Sequence, residues 1–355
     1  RYASEQTNGV TVIHTTLPPA GSRIFLVDQT QTSVEERKVS APPEEALVIG
    51  GPYSFRRMQD NILVLDRCTL EVDGKVILLN QPVWKARRAI WEHTGIAEFE
   101  GFQPWVMEAR NVRTRTNKTV LSFEFTAREI PEKLELAMES AERFVIEING
   151  KTVETSAGKW HIDRKIPACT ITEHVIQGTN VIRAVTDFLW DTQIENIYLT
   201  GDFAVGPEEE RFPLAREAET LETGNWIFQG YPFYPGSMSY RMEFDLDRVE
   251  PYRYELDLSS ARGSAFNITV NGTEIGVLAF SPFRGDVTGA LKQGANTLEV
   301  EVIGSLRNTL GLIHYDLENP EWIGPREFSD ENHWTDSYRF VPYGFIGEPK
   351  LIRIG

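Results

Sequence analysis

Phe266-Asn-Ile-Thr-Val-Asn-Gly-Thr-Glu-Ile275 decides the fold when it is set beside Phe144-Val-Ile-Glu-Ile-Asn-Gly-Lys-Thr-Val153. Both run Phe, three alternating residues, an aliphatic, and then Asn-Gly. A two-residue type I′ hairpin needs positive φ at both central positions, and Asn-Gly supplies that at the least steric cost. Each stretch therefore reads as two strands joined by a tight turn, and the pair reads as one unit written twice.

The likeness extends on both sides. Upstream, Phe123-Glu-Phe-Thr-Ala-Arg-Glu-Ile-Pro-Glu-Lys-Leu-Glu-Leu-Ala-Met138 matches Met242-Glu-Phe-Asp-Leu-Asp-Arg-Val-Glu-Pro-Tyr-Arg-Tyr-Glu-Leu-Asp-Leu258. In each, an alternating strand, a short Pro-containing turn and a second alternating strand follow one another. Downstream, Ile171-Thr172 leads to Gly178-Thr-Asn180, and Val287-Thr288 leads to Gly294-Ala-Asn296. The step from Thr to Gly is six positions in both copies, and a Gly-x-Asn turn then launches a strand. The copies lie about 120 residues apart, the size of one sandwich each.

Other strands are expected at 62–65, 68–79 around the Asp73-Gly74 turn, 119–126, 134–139, 144–148, 180–186, 241–246, 254–258, 266–270 and 296–303. One helix is expected over 82–93, with Pro82 at its start and Gly95 past its end. Its Trp84 and Trp91 are one heptad apart and should face protein rather than water. Val10–Thr15 and Arg23–Asp28 read as an N-terminal strand pair. The fold class is all-β: two tandem jelly-roll β-sandwiches with one short helix and that strand pair. The expected units are 1–45 (strand pair and linker), 46–206 (first sandwich) and 207–355 (second sandwich). The chain begins at Arg1, without Met, and is expected to be a piece of something longer.

Composition excludes several function classes. Lys and Arg number 36 against 52 Asp and Glu, a formal charge of −16. That field repels polyphosphates, so neither nucleic acid nor an anionic membrane is expected as a partner. No run approaches the 18 or so apolar residues that a membrane-spanning helix needs. Cys68 and Cys169 stand alone, outside any zinc-ligand spacing, and read as buried thiols with no metal. No cofactor motif is present: no phosphate loop, no HExxH and no Gly-x-Ser-x-Gly elbow. The triplets at Asn117, Asn267 and Asn271 match the glycosylation acceptor, but the last two are explained by the hairpin alone.

Val270-Asn271-Gly272, Asp286-Val287-Thr288 and Leu291-Lys-Gln-Gly-Ala-Asn-Thr-Leu298, with their first-copy counterparts Ile148-Asn149-Gly150 and Gly178-Thr179-Asn180, resemble the galactose-binding-like jelly roll of family 2 glycoside hydrolases. Asn61–Asp66, Gly230–Tyr240, Ser305–His314 and Tyr338–Phe345 look like parts of the C-terminal accessory region of large bacterial proteins related to α-L-rhamnosidases. The resemblance covers roughly residues 45–355. It implies accessory, carbohydrate-binding sandwiches that support a catalytic barrel, and that barrel domain is the implied partner. The residues themselves nominate no catalytic site: hydrolysis of a glycoside needs two carboxylates fixed across one sugar, and no β-α alternation offers a barrel to hold them. A structural or protein-interaction sandwich with no sugar affinity is the alternative.

Sugar binding leaves a candidate set. Pyranose faces stack on aromatic rings while polar groups bond the hydroxyls. Gly230-Tyr-Pro-Phe-Tyr-Pro-Gly236 is stiff and rich in rings. The expected carbohydrate-binding residues are Trp226, Tyr231, Tyr234, Arg307, Asn308, His314 and Trp334, with Phe233, Trp322, Tyr338 and Tyr343 as further aromatics. Packing at the end of a sandwich explains the same aromatics.

Overall fold

The computed structural model describes residues 4–7, 9–13, 15, 25, 45–94, 117–155, 159–189, 192–206, 212–317 and 322–354. The described chain is mostly strand, paired almost throughout in antiparallel fashion. At the N-terminus, Val10–Ile13 pairs with Ser4–Thr7. The strand expected at 23–28 lies outside the described residues except for Phe25.

Two sandwiches follow, each with its own apolar core. In the first, one sheet is built around Asn117–Ala127, which pairs with Gly178–Phe188 over its full length and with Arg67–Val72. Val145–Ile148 and Lys151–Val153 extend it on one side, and Lys75–Pro82 on the other. The facing sheet runs Trp160–His161, Asp163–Thr170, Leu134–Ala137, Ile197–Gly201, Asn61–Leu65. In the second sandwich, one sheet runs Thr220–Leu221, Tyr53–Arg57, Ser237–Leu246, Gly294–Ile303, Ala265–Val270, Thr273–Leu278. The other runs Arg284–Asp286, Arg253–Asp257, Lys350–Ile354, Glu45–Val48. Alternate residues of Gly294–Ile303 are buried, the period-2 pattern that puts one strand face in the core.

The copies match at the level of single hydrogen bonds. Asn149-Gly150 and Asn271-Gly272 have φ values of 51° and 79°, and 50° and 78°. The Asn149 amide donates to Asn180 Oδ1 (2.8 Å) and to the His174 carbonyl (2.9 Å), and its Oδ1 accepts the Val181 N–H. The Asn271 amide donates to Asn296 Oδ1 (2.8 Å) and to the Ala290 carbonyl (2.8 Å), and its Oδ1 accepts the Thr297 N–H. Asn180 and Asn296 are buried, and each amide closes its own turn through two backbone carbonyls. Thr172 and Thr288 each accept the N–H that opens the second strand of the repeat, from Leu134 and Tyr254. The Asn pair thus ties a hairpin to the neighbouring turn, a role the tight-turn argument alone did not reveal. Asn296→Ala should strand the Lys292 N–H, two carbonyls and the Asn271 amide. The expected cost is about 3 kcal/mol, since each buried polar group left unpaired is worth roughly 1–3 kcal/mol. A chemical denaturation midpoint that falls with an unchanged slope would report it; a loss under about 1 kcal/mol would refute it. Asn180→Ala should behave alike in the first copy.

The two sandwiches are not simply consecutive. Glu45–Val48 and Tyr53–Arg57, which the sequence places beside the first sandwich, pair with Lys350–Ile354 and Ser237–Leu246 of the second. They stand where Asn61–Leu65 and Arg67–Val72 stand in the first copy, next to Ile197–Gly201 and Asn117–Ala127. In chain order the first sandwich therefore sits inside the second, after the second's opening strands. Its entry and exit meet: the buried Asn61 amide donates to the Phe203 carbonyl (2.8 Å) and the Gly230 carbonyl (3.0 Å). Beside them Arg57 forms an ion pair with Glu217, with Nη2 at 2.9 Å from Oε2.

The helix spans Val83–Thr94, close to expectation, and buries Val83, Ala86 and Ile90. Trp84 and Trp91 are half-buried; Trp91 packs on the first core and Trp84 meets Trp334 edge to face. No described helix is long and apolar enough to cross a membrane. Both cysteines are buried free thiols; burial pushes Cys68 up to about 12 and, with Glu135 adding, Cys169 up to about 11.

Candidate functional site

The aromatic segment on which a sugar site was expected is core. Trp226, Tyr231 and Tyr234 are each 0% exposed. Trp226 stacks on Tyr343 (centroids 5.2 Å apart, planes 25° apart) and meets Tyr234 edge to face at 5.7 Å. Tyr234 Oη accepts the N–H groups of Met58 (3.0 Å) and Gln59 (3.2 Å) and donates to the Ser237 carbonyl (2.6 Å). Tyr231 donates to Glu217 (3.0 Å). Burial raises both phenols above the ordinary tyrosine value. The rings thus pack inside the second core, with Tyr234 also holding the turn after Tyr53–Arg57, and offer no open face for a pyranose. Asn308 is also buried, exchanging two hydrogen bonds with the backbone of Val341 (2.8 and 2.9 Å). Arg307 donates to the Leu312 carbonyl (3.0 Å), and burial lowers its guanidinium below the usual arginine value.

His314 and Trp334 are placed differently. They line a cleft of about 550 Å³, within the range of small-ligand sites. One wall comes from the first sandwich: Asp66, the helix residues Trp84 and Arg87, and Glu195. The other comes from the loops after Gly294–Ile303, through His314, Ile323, Glu327, Phe328 and Trp334. Of the seven expected residues, these two alone reach the cleft.

Its floor is an ordered stack. The His314 ring lies 4.6 Å from Trp334 with planes 24° apart, and 4.5 Å from Tyr338. Each ring nitrogen faces an oxygen: Nδ1 the Thr335 carbonyl (2.8 Å), Nε2 the Asp66 carboxylate (2.9 Å). Tyr338 donates to the other Asp66 oxygen (3.2 Å), and burial beside that carboxylate raises its phenol. Asp66 follows Asn61–Leu65 and is held at the helix start by the Val83 N–H, 2.9 Å from its carbonyl oxygen. Trp334 Nε1 donates to Asp336 (3.3 Å). Asp336 also accepts Arg67 (3.0 Å), and these two bonds lower its carboxyl.

At the rim, Arg87 Nη1 sits 3.0 Å from Glu195 Oε1. Desolvation against the cleft wall, helped by Glu139 and opposed by Arg87, raises the Glu195 carboxyl above the ordinary glutamate value. Glu327 accepts the Gly324 N–H (2.6 Å). Trp322, beside Ile323 in the chain, is 75% exposed. Sequence reasoning missed Asp66, Trp84, Arg87 and Glu195 as site residues. No local signal joins them: Asp66 and its partner His314 are 248 positions apart. Among the described residues no group of three or more His, Cys, Asp or Glu side chains could hold a metal ion.

The chain is similar to parts of glycoside hydrolases. It is 29% identical over 145 residues to a protein of Formosa agariphila described as "Putative beta-glucuronidase", covering 35% of this chain and 12% of that protein. Among solved structures it is similar to a rhamnosidase from Novosphingobium sp. PP1Y, with 17% identity over 79% of this chain and 27% of that one, at a TM-score of 0.29. It is also similar to a Bifidobacterium dentium beta-glucuronidase, with 23% identity over 39% of this chain and 25% of that one, at a TM-score of 0.28. No family model matches. This chain spans 12% of the length of the curated relative.

Proposed function

We propose that this chain is a non-catalytic pair of galactose-binding-like sandwiches from a glycoside-hydrolase-like protein, and that the cleft at His314 and Trp334 binds carbohydrate for a catalytic barrel elsewhere in that protein. The observation that carries it is the composition of the cleft. Half-buried indoles provide apolar stacking surface, and carboxylates, Arg87 and the Asn196 amide supply partners for hydroxyls. A cleft walled by both sandwiches also gives a reason for fixing them together at Asn61 and Arg57. The burial of Trp226, Tyr231 and Tyr234 favours a second reading, a structural or protein-interaction sandwich with no sugar affinity.

One titration separates the two. D-glucose, D-galactose, D-mannose and L-rhamnose, each added to the chain, should include one or more that saturate a calorimetric signal. Trp334→Ala should weaken that binding roughly tenfold, the equivalent of about 1.4 kcal/mol from a lost stacking surface. Flat titrations for all four, and for D-glucuronate, D-galacturonate and D-mannuronate as well, would reject carbohydrate binding. Aryl glycosides should remain intact on long incubation; turnover lost on replacing a cleft carboxylate would reject the non-catalytic assignment.

A further inference from the structure

The charge of the cleft narrows the class of sugar, on the proposal that the cleft binds carbohydrate at all. Three carboxylates line it, those of Asp66, Glu195 and Glu327. Arg87 is the one lysine or arginine among the described lining residues, and its guanidinium is already bonded to Glu195 at 3.0 Å. His314 is turned toward Asp66 and the Thr335 carbonyl, so its ring nitrogens are engaged on both sides. The neighbouring cations of the helix do not line the cleft and are engaged with other groups. Arg88 is bonded to Glu331 at 2.6 Å, and Lys85 lies over the Trp84 ring and acts on Asp336. Among the described lining residues, Arg87 is thus the only lysine or arginine that could meet a carboxylate on the ligand, and Glu195 already holds one of its guanidinium nitrogens.

We infer that the cleft accepts neutral sugars and excludes their uronic acids. A carboxylate accepts hydrogen bonds and donates none, so Glu195 and Glu327 suit hydroxyl donors, while Asp66 is buried with its oxygens engaged by His314 and Tyr338; charge-assisted bonds of this kind are the stronger ones. A uronate brings a further carboxylate into a partly desolvated recess where three carboxylates already face one arginine, and repulsion there is screened less than in open water. The formal charge of −16 on the whole chain adds to the barrier at long range.

The test adds D-glucuronate, D-galacturonate and D-mannuronate to the neutral panel, with the full chain at low and at high salt. The tightest neutral sugar should bind at least tenfold more tightly than any uronate. That gap should narrow at high salt, and Glu195→Gln should narrow it further at low salt. A uronate that binds as tightly as the best neutral sugar overturns this inference and leaves the carbohydrate-binding proposal standing. A gap that neither salt nor Glu195→Gln changes also overturns it, because the discrimination would then be one of shape. If no sugar of either kind binds, the carbohydrate-binding proposal fails and the inference falls with it.

Discussion

A fragment of residues 207–355, the second sandwich as the sequence delimits it, is expected to lack a cooperative unfolding transition. It keeps two edges that the intact protein covers. Tyr53–Arg57 pairs with Ser237–Leu246, and Glu45–Val48 pairs with Lys350–Ile354. Without them two strands expose unpaired N–H and C=O groups, an invitation to aggregation. The core also loses Ile49 and Tyr53, both buried; Tyr53 meets Phe345 and Tyr240 edge to face at 5.3 and 5.9 Å. Joining 45–59 to 212–355 through a short Gly-Ser linker should restore a cooperative transition, because entry and exit of the inserted sandwich touch at Asn61 and Phe203. Thermal unfolding followed by near-ultraviolet circular dichroism checks both fragments. A cooperative transition in 207–355 alone would show that the opening strands are dispensable.

Trp226→Ala should cost about 3–5 kcal/mol, the range for removing a large buried aromatic. The ring fills the space between Tyr343 and Tyr234. Neighbouring backbone holds its position: the Asn225 side chain accepts the Ile227 N–H (3.1 Å), and the Trp226 N–H donates to the Tyr343 carbonyl (3.1 Å). With that scaffold fixed, collapse around the void is limited and the full cavity term applies. Its indole Nε1 is buried without a hydrogen-bond partner among the described residues, so the loss carries no broken hydrogen bond, only packing. Denaturant titration measures the effect. A loss below about 1.5 kcal/mol would mean that Trp226 is no keystone of the second core. Trp334→Ala offers the contrast, with a modest stability loss and a binding loss.

The sequence by itself determined the repeating unit. Asn149-Gly150 and Asn271-Gly272 need no tertiary context to turn, because positive φ at two successive positions is a local demand. The alternation in Gly178–Phe188 and Gly294–Ile303 is equally local, since a strand with one buried face carries period 2 wherever its partner lies. The helix of 83–94 could be read from its punctuation by Pro and Gly. Glu45–Val48 and Tyr53–Arg57 gave no such guide to their partners. A strand's own residues do not record which sheet will pair it, and the partners of these two are about 180 to 300 positions away along the chain. The aromatic segment at 230–236 was legible as stiff and ring-rich, yet whether its rings face solvent depends on what covers them, here Met58, Gln59 and Trp226. The cleft is the extreme case. Asp66, Trp84, Glu195 and His314 come from four separate parts of the chain, and only the docking of the C-terminal loops against the inserted sandwich makes them neighbours. Short-range chemistry sets turns and strand faces; which surfaces meet is decided by burial of apolar area across the whole molecule, and that is where the candidate site arose.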